Sequence, residues 1–385
     1  MTPIAPRLTI SANARAGVGG QGRNLAQMVA GLGAAFELAV WSRDPWPGLD
    51  GGGVPIAASA RLLGAVPVLR RRRDWLVWLD DTGFDRRVAT RLARTDLFQG
   101  ATGQCHACLR VARTRATPTV LDAVTMHVDD FGAAMDRECA RMGVRPVLPR
   151  RLRARMRREY EEADLIRVMS ESSRRSFLAR GVADSRIVVV PPGLDPAEFP
   201  SAQPPTDTFR IACVGLLEPW KGFQYLLEAF EALRVRRASL VLWGATGARP
   251  IARYLRTRTA ADPRITLRTF DPAREGFGVP YVNASVLVHP SLSDGFGQVV
   301  AEAMACGIPV IATDRTGAAD WIEDGRNGFV VPAGDAGAIR DRLESLASHP
   351  AAVAEMGRRA RETVRALSVA EFRRRYVPRL RALLS

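Results

Sequence analysis

Charged side chains and glycines share the segment 290–313, whose sequence is PSLSDGFGQVVAEAMACGIPVIAT. A strand is predicted to end where this segment starts, and a loop with Asp294, Gly295 and Gly297 follows it. A helix is predicted to begin near Gln298. Glycine lets backbone N–H groups approach a ligand closely, and a helix start adds the positive end of a dipole and unpaired N–H donors. The segment therefore predicts a binding site for a diphosphate.

Two carboxylates accompany this predicted anion site. Glu302 stands about one turn inside the helix, and its two oxygens can accept hydrogen bonds from two neighbouring hydroxyls, as a ribose presents them. Asp294 lies on the loop and can do the same for a sugar. The alternative is that Glu302 is a solvent-exposed helix residue and that the glycines form a simple turn.

Lys221 is the single lysine among the 55 lysines and arginines of the chain. It stands in the segment 214–222, VGLLEPWKG, which follows a predicted strand and opens a predicted helix that begins at Lys221. An ammonium group is a compact point charge, whereas a guanidinium is a planar fork. A lysine at a helix N-terminus opposes the dipole by roughly 0.3–1 kcal/mol, which a bound anion offsets. Lys221 is therefore predicted to face a diphosphate, with chance survival of one lysine as the alternative.

Strands and helices alternate along both halves of the chain, which predicts parallel sheets and an α/β fold. In the first half, a strand at 7–11 precedes the glycine-rich loop Gly17–Gly22 and a helix at 23–32. The polar, proline-bearing stretch 201–208 is predicted to be a linker, after which a strand at 209–215 restarts the alternation. Two such halves leave a cleft between them, which is a usual place for a ligand.

The segments VGLLEPWKG and SLSDGFGQVVAEAMACGIPVIAT together resemble the retaining glycosyltransferases of family 4, which have the GT-B fold. Three further segments are similar to the family's patterns. YEEAD at 160–164 resembles its E-x-A-D helix end, PPGLD at 191–195 resembles its P-x-G-V-D turn, and DGRNGF at 324–329 resembles its dG.nGf ending. The resemblance covers most of the second half and the end of the first half, whereas the first hundred residues match only through the glycine loop.

The resemblance implies two Rossmann-like domains that face each other across a cleft. Residues 1–200 would form the acceptor-binding domain and residues 201–365 the nucleotide-sugar-binding domain. Residues 366–385 would form a C-terminal helix that packs back toward the N-terminal domain. The implied reaction moves a sugar from a nucleotide-diphosphate sugar to an acceptor, which could be a glycan, a lipid-linked saccharide or a small molecule. Retention of the anomeric configuration and independence from metals and other cofactors are also implied.

Site residues follow from the resemblance where this sequence matches the family's motifs. By this resemblance Asp294 would contact the donor sugar, and its side chain is one carbon shorter than the family's glutamate. Leu216 stands where the family often has an arginine. The implied catalytic residues are His127, Lys221 and Asp294. The implied donor-binding residues are Gly19, Gly20, Lys221, Asp294, Gly295, Phe296, Gly297, Gln298, Val299 and Glu302.

The length, the cysteines and the apolar runs of the chain indicate a protein of several domains without a disulfide framework. A chain of 385 residues is expected to form two or three domains. Its five scattered cysteines do not suit a disulfide framework, and the lone pair Cys105 and Cys108 lacks the second ligand pair of a zinc site. Because the first ten residues lack a signal-peptide layout and no apolar run is long enough to span a membrane, a cytoplasmic location is expected.

Two basic stretches raise the question of a membrane surface. Arg70–Arg73 is followed by Trp75 and Trp78, and Arg150–Arg158 is interleaved with Leu152 and Met156. Helices that combine basic and apolar residues can lie on anionic lipid at the inner face of the cell membrane, which would suit a lipid-linked acceptor. The alternative is an arginine-rich face in solvent.

Two other functions compete with sugar transfer. Gly17, Gly19 and Gly22 fit the G-x-G-x-x-G pattern, and Arg43 could meet a 2′-phosphate, so an NADP-dependent oxidoreductase is one alternative. That alternative leaves Lys221 and the segment 290–313 unexplained. The isoelectric point near 10.9 suggests a nucleic-acid-binding protein, but no recognition motif accompanies the charge and the arginines are spread along the chain.

Overall fold

The computed structural model describes residues 5–56, 72–246 and 248–385, so Arg70 and Arg71 of the first basic stretch lie outside the described residues. The described residues form two compact α/β units. The first unit comprises Met1–Gly132, Arg145–Gly193 and Val369–Ser385, and the second comprises Ala133–Val144 and Leu194–Ser368. The domain boundaries stated above stay predictions, although the contacts of 133–144 and 194–200 group these residues with the second unit.

Each unit contains one sheet whose strands are all parallel. The strands are β1 Arg7–Ser11, β2 Glu37–Ser42, β3 Asp50–Gly53, β4 Leu97–Ala101, β5 Thr119–Ala123, β6 Leu165–Val168, β7 Ile187–Val189, β8 Phe209–Val214, β9 Ala238–Trp243, β10 Ile265–Arg268, β11 Val286–His289, β12 Val310–Thr313 and β13 Gly328–Val331. The first sheet has seven strands in the order β3-β2-β1-β4-β5-β6-β7, and the second has six in the order β10-β9-β8-β11-β12-β13.

Helices connect the strands and cover the sheets. They are α1 Gly19–Leu32, α2 Arg73–Ala89, α3 His106–Thr114, α4 Val128–Arg141, α5 Arg150–Glu162, α6 Glu171–Leu178, α7 Phe223–Glu231, α8 Arg249–Ala261, α9 Pro272–Glu275, α10 Gln298–Ala305, α11 Ala336–Ala347, α12 Pro350–Thr363 and α13 Val369–Arg381. Short 3-10 turns lie at Asp184–Arg186, Pro196–Glu198, Pro219–Lys221, Gly317–Trp321 and Val364–Leu367. Within the described ranges, no helix combines the length and hydropathy that a membrane crossing needs.

The strand order creates one topological switch point in each sheet. The chain moves outward from β1 to β3 and then returns to place β4 beside β1, and it likewise returns after β10 to place β11 beside β8. The loops after two such strands diverge to opposite faces and leave a crevice at their carboxyl ends, where ligands of open α/β sheets bind. The segments that follow β8 and β11 include Lys221 and Asp294.

Two helix starts differ from the predictions. The first helix was expected at Arg23 but begins at Gly19, so the end of the glycine loop forms the first helical turn. The helix expected at Lys221 begins at Phe223 instead, because Gly222 adopts a left-handed conformation with φ of 73°. Lys221 therefore ends a short 3-10 turn rather than opening a helix.

A buried ion pair ties the first sheet to the C-terminal helix α13. Arg167 on β6 is fully buried, and its Nη1 lies 2.6 Å from Oδ1 of Asp122 on β5. Asn24 of α1 donates to the same carboxylate at 2.6 Å and accepts from the guanidinium at 3.0 Å. The rings of Phe372 and Tyr376 on α13 lie 5.3 and 5.6 Å from the guanidinium carbon. The charge pair is thus enclosed by strands, α1 and aromatic rings.

We expect Arg167→Met to lower the free energy of unfolding by about 3–5 kcal/mol, because it leaves the Asp122 carboxylate buried without its cation. Adding Asp122→Leu in the same chain should recover most of that loss. Urea denaturation followed by circular dichroism measures both, and Arg7→Met serves as control because the exposed ion pairs of Arg7 are worth only about 0–1 kcal/mol. Equal effects of Arg167→Met and Arg7→Met would contradict the importance of the buried pair.

Candidate functional site

Three side chains meet at the switch point of the second sheet. Lys221 Nζ lies 2.5 Å from Asp294 Oδ2, and Nε2 of His289 lies 3.1 Å from the same oxygen. The imidazole is almost fully buried, whereas the side chains of Lys221 and Asp294 retain 27% and 15% of their exposure. The Lys221 side chain is thus only partly covered by the protein, and part of it is accessible from solvent.

Gly222 explains how Lys221 reaches this position. A Cβ atom at residue 222 would stand 1.9 Å from the carbonyl oxygen of Pro290, so only glycine lets the 3-10 turn pack against the end of β11. The same turn is held by the N–H of Leu292, which donates to the carbonyl of Trp220 at 2.9 Å. The adjacent Lys-Gly pair of the sequence motif therefore combines one residue for charge and one for close approach.

The loop that carries Asp294 is supported from the end of β12. The N–H of Asp294 donates to the carbonyl of Arg315 at 2.9 Å, and the N–H of Gly317 donates to the carbonyl of Asp294 at 3.0 Å. Gly297 adopts φ of 82°, and a Cβ there would lie 2.8 Å from Thr316 Cγ2. Gly295 and Phe296 are buried beside it. These contacts fix the position of the loop between β11 and α10 relative to the end of β12.

Helix α10 begins directly after this loop. Gly297 is its N-cap and provides no side chain to satisfy the first N–H groups. The first turn contains Gln298 and Val299, both half-buried. The positive end of the helix dipole favours an anion at this position. Lys221 and the start of α10 therefore flank the same loop with positive charge.

The charge state of Asp294 follows from its neighbours. Burial alone would raise the pKa of this carboxyl group, but the Lys221 ammonium and the His289 ring outweigh burial and hold the pKa well below its ordinary value of 3.8. The group is therefore ionised throughout the neutral range. An ionised acceptor at this position can receive hydrogen bonds from hydroxyls as well as from Lys221 and His289.

Glu302 is buried on α10, about one turn after Gln298. The hydroxyl of Tyr281 donates to Glu302 Oε2 at 2.7 Å. The interpretation of Glu302 as a solvent-exposed helix residue is therefore wrong, because the side chain is only 5% exposed. Its role toward a ribose stays a prediction, and Tyr281 is a neighbour that no sequence motif indicated.

Gly19 and Gly20 lie in the first unit, at the start of α1. Both are exposed, and a Cβ at either position would meet no atom within 4 Å. Gly22, in contrast, is buried, and a Cβ there would stand 1.9 Å from the carbonyl oxygen of Arg15. Gly22 therefore has a structural reason to be glycine, whereas the first two glycines leave the helix start accessible to a ligand.

His127 precedes α4 in the first unit and is buried. Its ring centroid lies 4.9 Å from that of Tyr160 and 5.1 Å from that of Phe177. The N–H of Asp129 donates to His127 Nδ1 at 3.3 Å, which leaves the proton of the neutral ring on Nε2. Burial lowers the pKa of His127 below its ordinary value of 6.5, against the opposing influence of Asp129. The ring is therefore a neutral hydrogen-bond donor near pH 7.

His289 is a residue of this cluster that the sequence did not assign to the site. Two signals could have indicated its role: it is the last residue of β11, and it stands five positions before Asp294 in the motif segment. The structure places Leu216, which stands where the family often has an arginine, in the loop after β8 with 62% exposure. A cationic partner from that position is thus missing.

The geometry around Arg43 gives no support to an NADP-dependent oxidoreductase. Arg43, which the oxidoreductase alternative needs for a 2′-phosphate, forms an ion pair with Asp80.

Among the described residues, no group of three or more histidine, cysteine, aspartate or glutamate side chains is arranged to hold a metal ion. All five cysteines are buried free thiols, and burial raises the pKa of Cys213 to about 12.

Two family models match successive parts of this chain. The model described as "Glycosyl transferase 4-like domain" matches residues 19–193, and the model described as "Glycosyl transferases group 1" matches residues 208–349. The second match includes Lys221, His289, Asp294 and Glu302. Apart from β1, the strands of both sheets therefore fall within glycosyltransferase models.

Curated relatives match at lower coverage. A D-inositol 3-phosphate glycosyltransferase from Arthrobacter sp. strain FB24 is 35% identical over 189 residues, which cover 45% of this chain and 45% of the relative. A GDP-mannose-dependent alpha-(1-6)-phosphatidylinositol monomannoside mannosyltransferase from Mycolicibacterium smegmatis is 30% identical and covers 53% of this chain and 58% of the relative. The matches thus span about half the length of these relatives.

A solved structure agrees over nearly the whole chain. Anabaena HepE in complex with UDP-glucose superposes with a TM-score of 0.75 at 16% sequence identity, over 98% of this chain and 100% of HepE. At that identity the likeness shows the fold, which is GT-B. The two family models, which together match residues 19–193 and 208–349, show that this chain belongs to the group 1, family 4 type of glycosyltransferases.

Proposed function

We propose that this protein transfers a sugar from a nucleoside-diphosphate sugar to a hydroxyl group of an acceptor. The names of its relatives support a sugar transferase, and the complex of HepE with UDP-glucose supports a nucleotide sugar as the donor. One observation carries the proposal for this chain. Lys221, Asp294 and the start of α10 surround a preorganised glycine loop at a topological switch point.

This arrangement suits the charge that develops when the sugar–phosphate bond breaks. The diphosphate gains negative charge, while positive charge builds on the anomeric carbon. Lys221 and the first N–H groups of α10 can stabilise the leaving diphosphate, because they are already positioned and need no reorganisation. We assign Asp294, with backbone donors of Gly295, Phe296 and Gly297, to the donor sugar and phosphates. Gln298 and Val299 complete this donor-binding set.

The proposal includes a metal-free reaction, since a lysine and a helix N-terminus can supply the positive charge that a divalent cation supplies elsewhere. Retention of the anomeric configuration rests on the family resemblance. In the first unit, we assign Gly19 and Gly20 to contact with the diphosphate through backbone N–H groups. We assign His127 to contact with the substrate at the reaction centre through Nε2–H.

The acceptor is proposed to be a saccharide or polyol, free or lipid-linked. The two named relatives act on an inositol phosphate and on a phosphatidylinositol mannoside. Helix α5 begins with Arg150 and carries five further arginines, and the guanidinium of Arg151 lies 5.5 Å from the ring of Trp75 and 5.7 Å from that of Trp78. Trp75 is 43% exposed. These features support a cytoplasmic enzyme with peripheral contact at the inner face of the membrane.

Lys221→Ala should abolish most of the rise in melting temperature that a matching nucleoside diphosphate causes, because the diphosphate loses its ammonium partner. Turnover should fall by about 10²–10³, as for the loss of one preorganised charge-stabilising group. A thermal-shift panel of nucleoside diphosphates and a sugar-transfer assay measure the two effects. Arg253→Ala, on the exposed side of α8, is the control and should change neither. An unchanged nucleotide response in Lys221→Ala would refute the assignment.

Glu302→Gln should weaken binding of the nucleoside diphosphate about tenfold, because it removes the charged acceptor for the ribose hydroxyls. It should have little effect on the 2′,3′-dideoxy form of the same nucleotide, which lacks those hydroxyls. Calorimetric titration of both nucleotides gives the comparison. Tyr281→Phe is the matched control, since it removes only the hydroxyl that binds Glu302. If Glu302→Gln weakens both nucleotides equally, the carboxylate has a structural role only.

His127→Ala should lower turnover at least about tenfold by removing one hydrogen bond to the substrate, while nucleotide binding stays unchanged. The acid-side fall in turnover of the unmodified enzyme should lie at lower pH than an ordinary histidine would give, because burial lowers the pKa of His127 and keeps its ring neutral to lower pH. Steady-state rates between pH 5 and 8 check this, with His349→Asn as an exposed control. Full activity in His127→Ala would remove this residue from the site.

A further inference from the structure

One face of the second sheet is open along β8, β9 and β10. Side chains of β9 alternate strictly, with Ala238, Leu240 and Leu242 buried and the three residues between them only half-buried. Leu240 and Leu242 pack into the core of the unit together with helices α7 and α8. Ser239, Val241 and Trp243 point to the opposite face, because successive side chains of a strand point to opposite sides. That face lacks the cover that parallel sheets usually have on both sides.

The sequence of the crossover from β10 to β11 explains the missing cover. This segment has to pass over the open face, but it forms only the four-residue helix α9. Gly276 follows with φ of 86°, and a Cβ at Gly278 would stand 2.7 Å from Pro200 Cδ. Pro280 then removes a further N–H donor. Because these residues interrupt a helix, a cavity of about 470 Å³ remains between the crossover and the strands.

Opposite ends of this cavity carry positive charge. Arg210 stands opposite Ser239, and Arg268 stands opposite Trp243, so their positions along β9 differ by four residues. That separation is about 13 Å along the strands. The guanidinium of Arg268 lies 5.6 Å from the Trp243 ring, and Arg210 reaches only the carbonyl of Asn283 at 3.5 Å. The described ion pairs of the second unit include neither arginine.

The middle of the cavity is mainly apolar and contains one unsatisfied hydroxyl. Ala212, Val241 and Val279 line it together with Thr266. The Oγ atom of Ser239 is buried there without a hydrogen-bond partner. A buried hydroxyl without a partner costs free energy that a ligand atom can recover. The lining thus combines an aromatic ring, apolar side chains, a free hydroxyl and two cations without carboxylate partners.

We propose that this cavity binds an organic anion with an apolar body of one or two rings. The ring system packs on Trp243 and Val241, the acidic group pairs with Arg268 or Arg210, and a polar atom bonds to Ser239 Oγ. The volume lies within the usual range of small-molecule sites, about 300–1,000 Å³. This site is separate from the cluster of Lys221, Asp294 and His289, and it does not depend on the proposed function.

The test uses 1-anilinonaphthalene-8-sulfonate, an aromatic sulfonate whose fluorescence rises in apolar surroundings. The full-length protein should bind it saturably with one molecule per chain. Arg210→Gln and Arg268→Gln should each weaken binding about tenfold through the loss of a charged partner. Thr266→Phe should block binding sterically, and this exposed position on the edge strand β10 tolerates a larger side chain. Arg256→Gln, which removes an exposed arginine of α8, should bind as the unmodified chain does.

Three outcomes would overturn the proposal. The first is the absence of saturable binding, and the second is unchanged binding in both Arg268→Gln and Thr266→Phe. The third is displacement of the probe by a nucleoside diphosphate, which would assign the cavity to the donor site. Lys221→Ala distinguishes this proposal from the proposed function, since it should impair the nucleotide response and leave binding of the sulfonate unchanged. Melting temperatures of all variants establish that they are folded.

Discussion

The contact of the Lys221 ammonium with the Asp294 carboxylate is the interaction on which the candidate site depends. It joins the loop after β8 to the loop after β11, and His289 at the end of β11 contacts the same carboxylate. An ion pair that is partly exposed to solvent contributes little to stability by itself. The pair matters because of where it places its two charges. It holds a cation, which the proposed donor needs for its diphosphate, beside an anion, which the donor needs for its sugar hydroxyls.

The parallel sheet decides where that contact can form. Every strand of the second sheet points its carboxyl end to the same edge, and the switch between β8 and β11 opens a crevice at that edge. Gly222 and Gly297 then permit backbone approaches that a Cβ would prevent. The first sheet has its switch point between β1 and β4. The glycine-rich start of α1 follows β1 at that switch point. Each unit thus has glycines at its own switch point.

The two units differ in how completely helices cover their sheets. In the first, α13 closes over the buried Arg167–Asp122 pair with Phe372 and Tyr376, and an otherwise costly charge is enclosed. In the second, the interrupted crossover leaves Trp243 and two arginines around a cavity. The same requirement, to cover both faces of a parallel sheet, produces a stable core in one place and a ligand-sized space in the other.

The sequence alone determined the alternation of strands and helices, the family resemblance and the loop residues Lys221 and Asp294, because periodicity and glycine spacing are local properties. The strand predicted at 7–11 has those bounds as β1, and the strand predicted at 209–215 ends one residue earlier as β8. Only the tertiary structure decided that His289 contacts Asp294, that Tyr281 meets Glu302 and that Arg167 is buried. These pairs lie 5, 21 and, for Arg167 with Asp122, 45 positions apart, and packing rather than local pattern selects such partners.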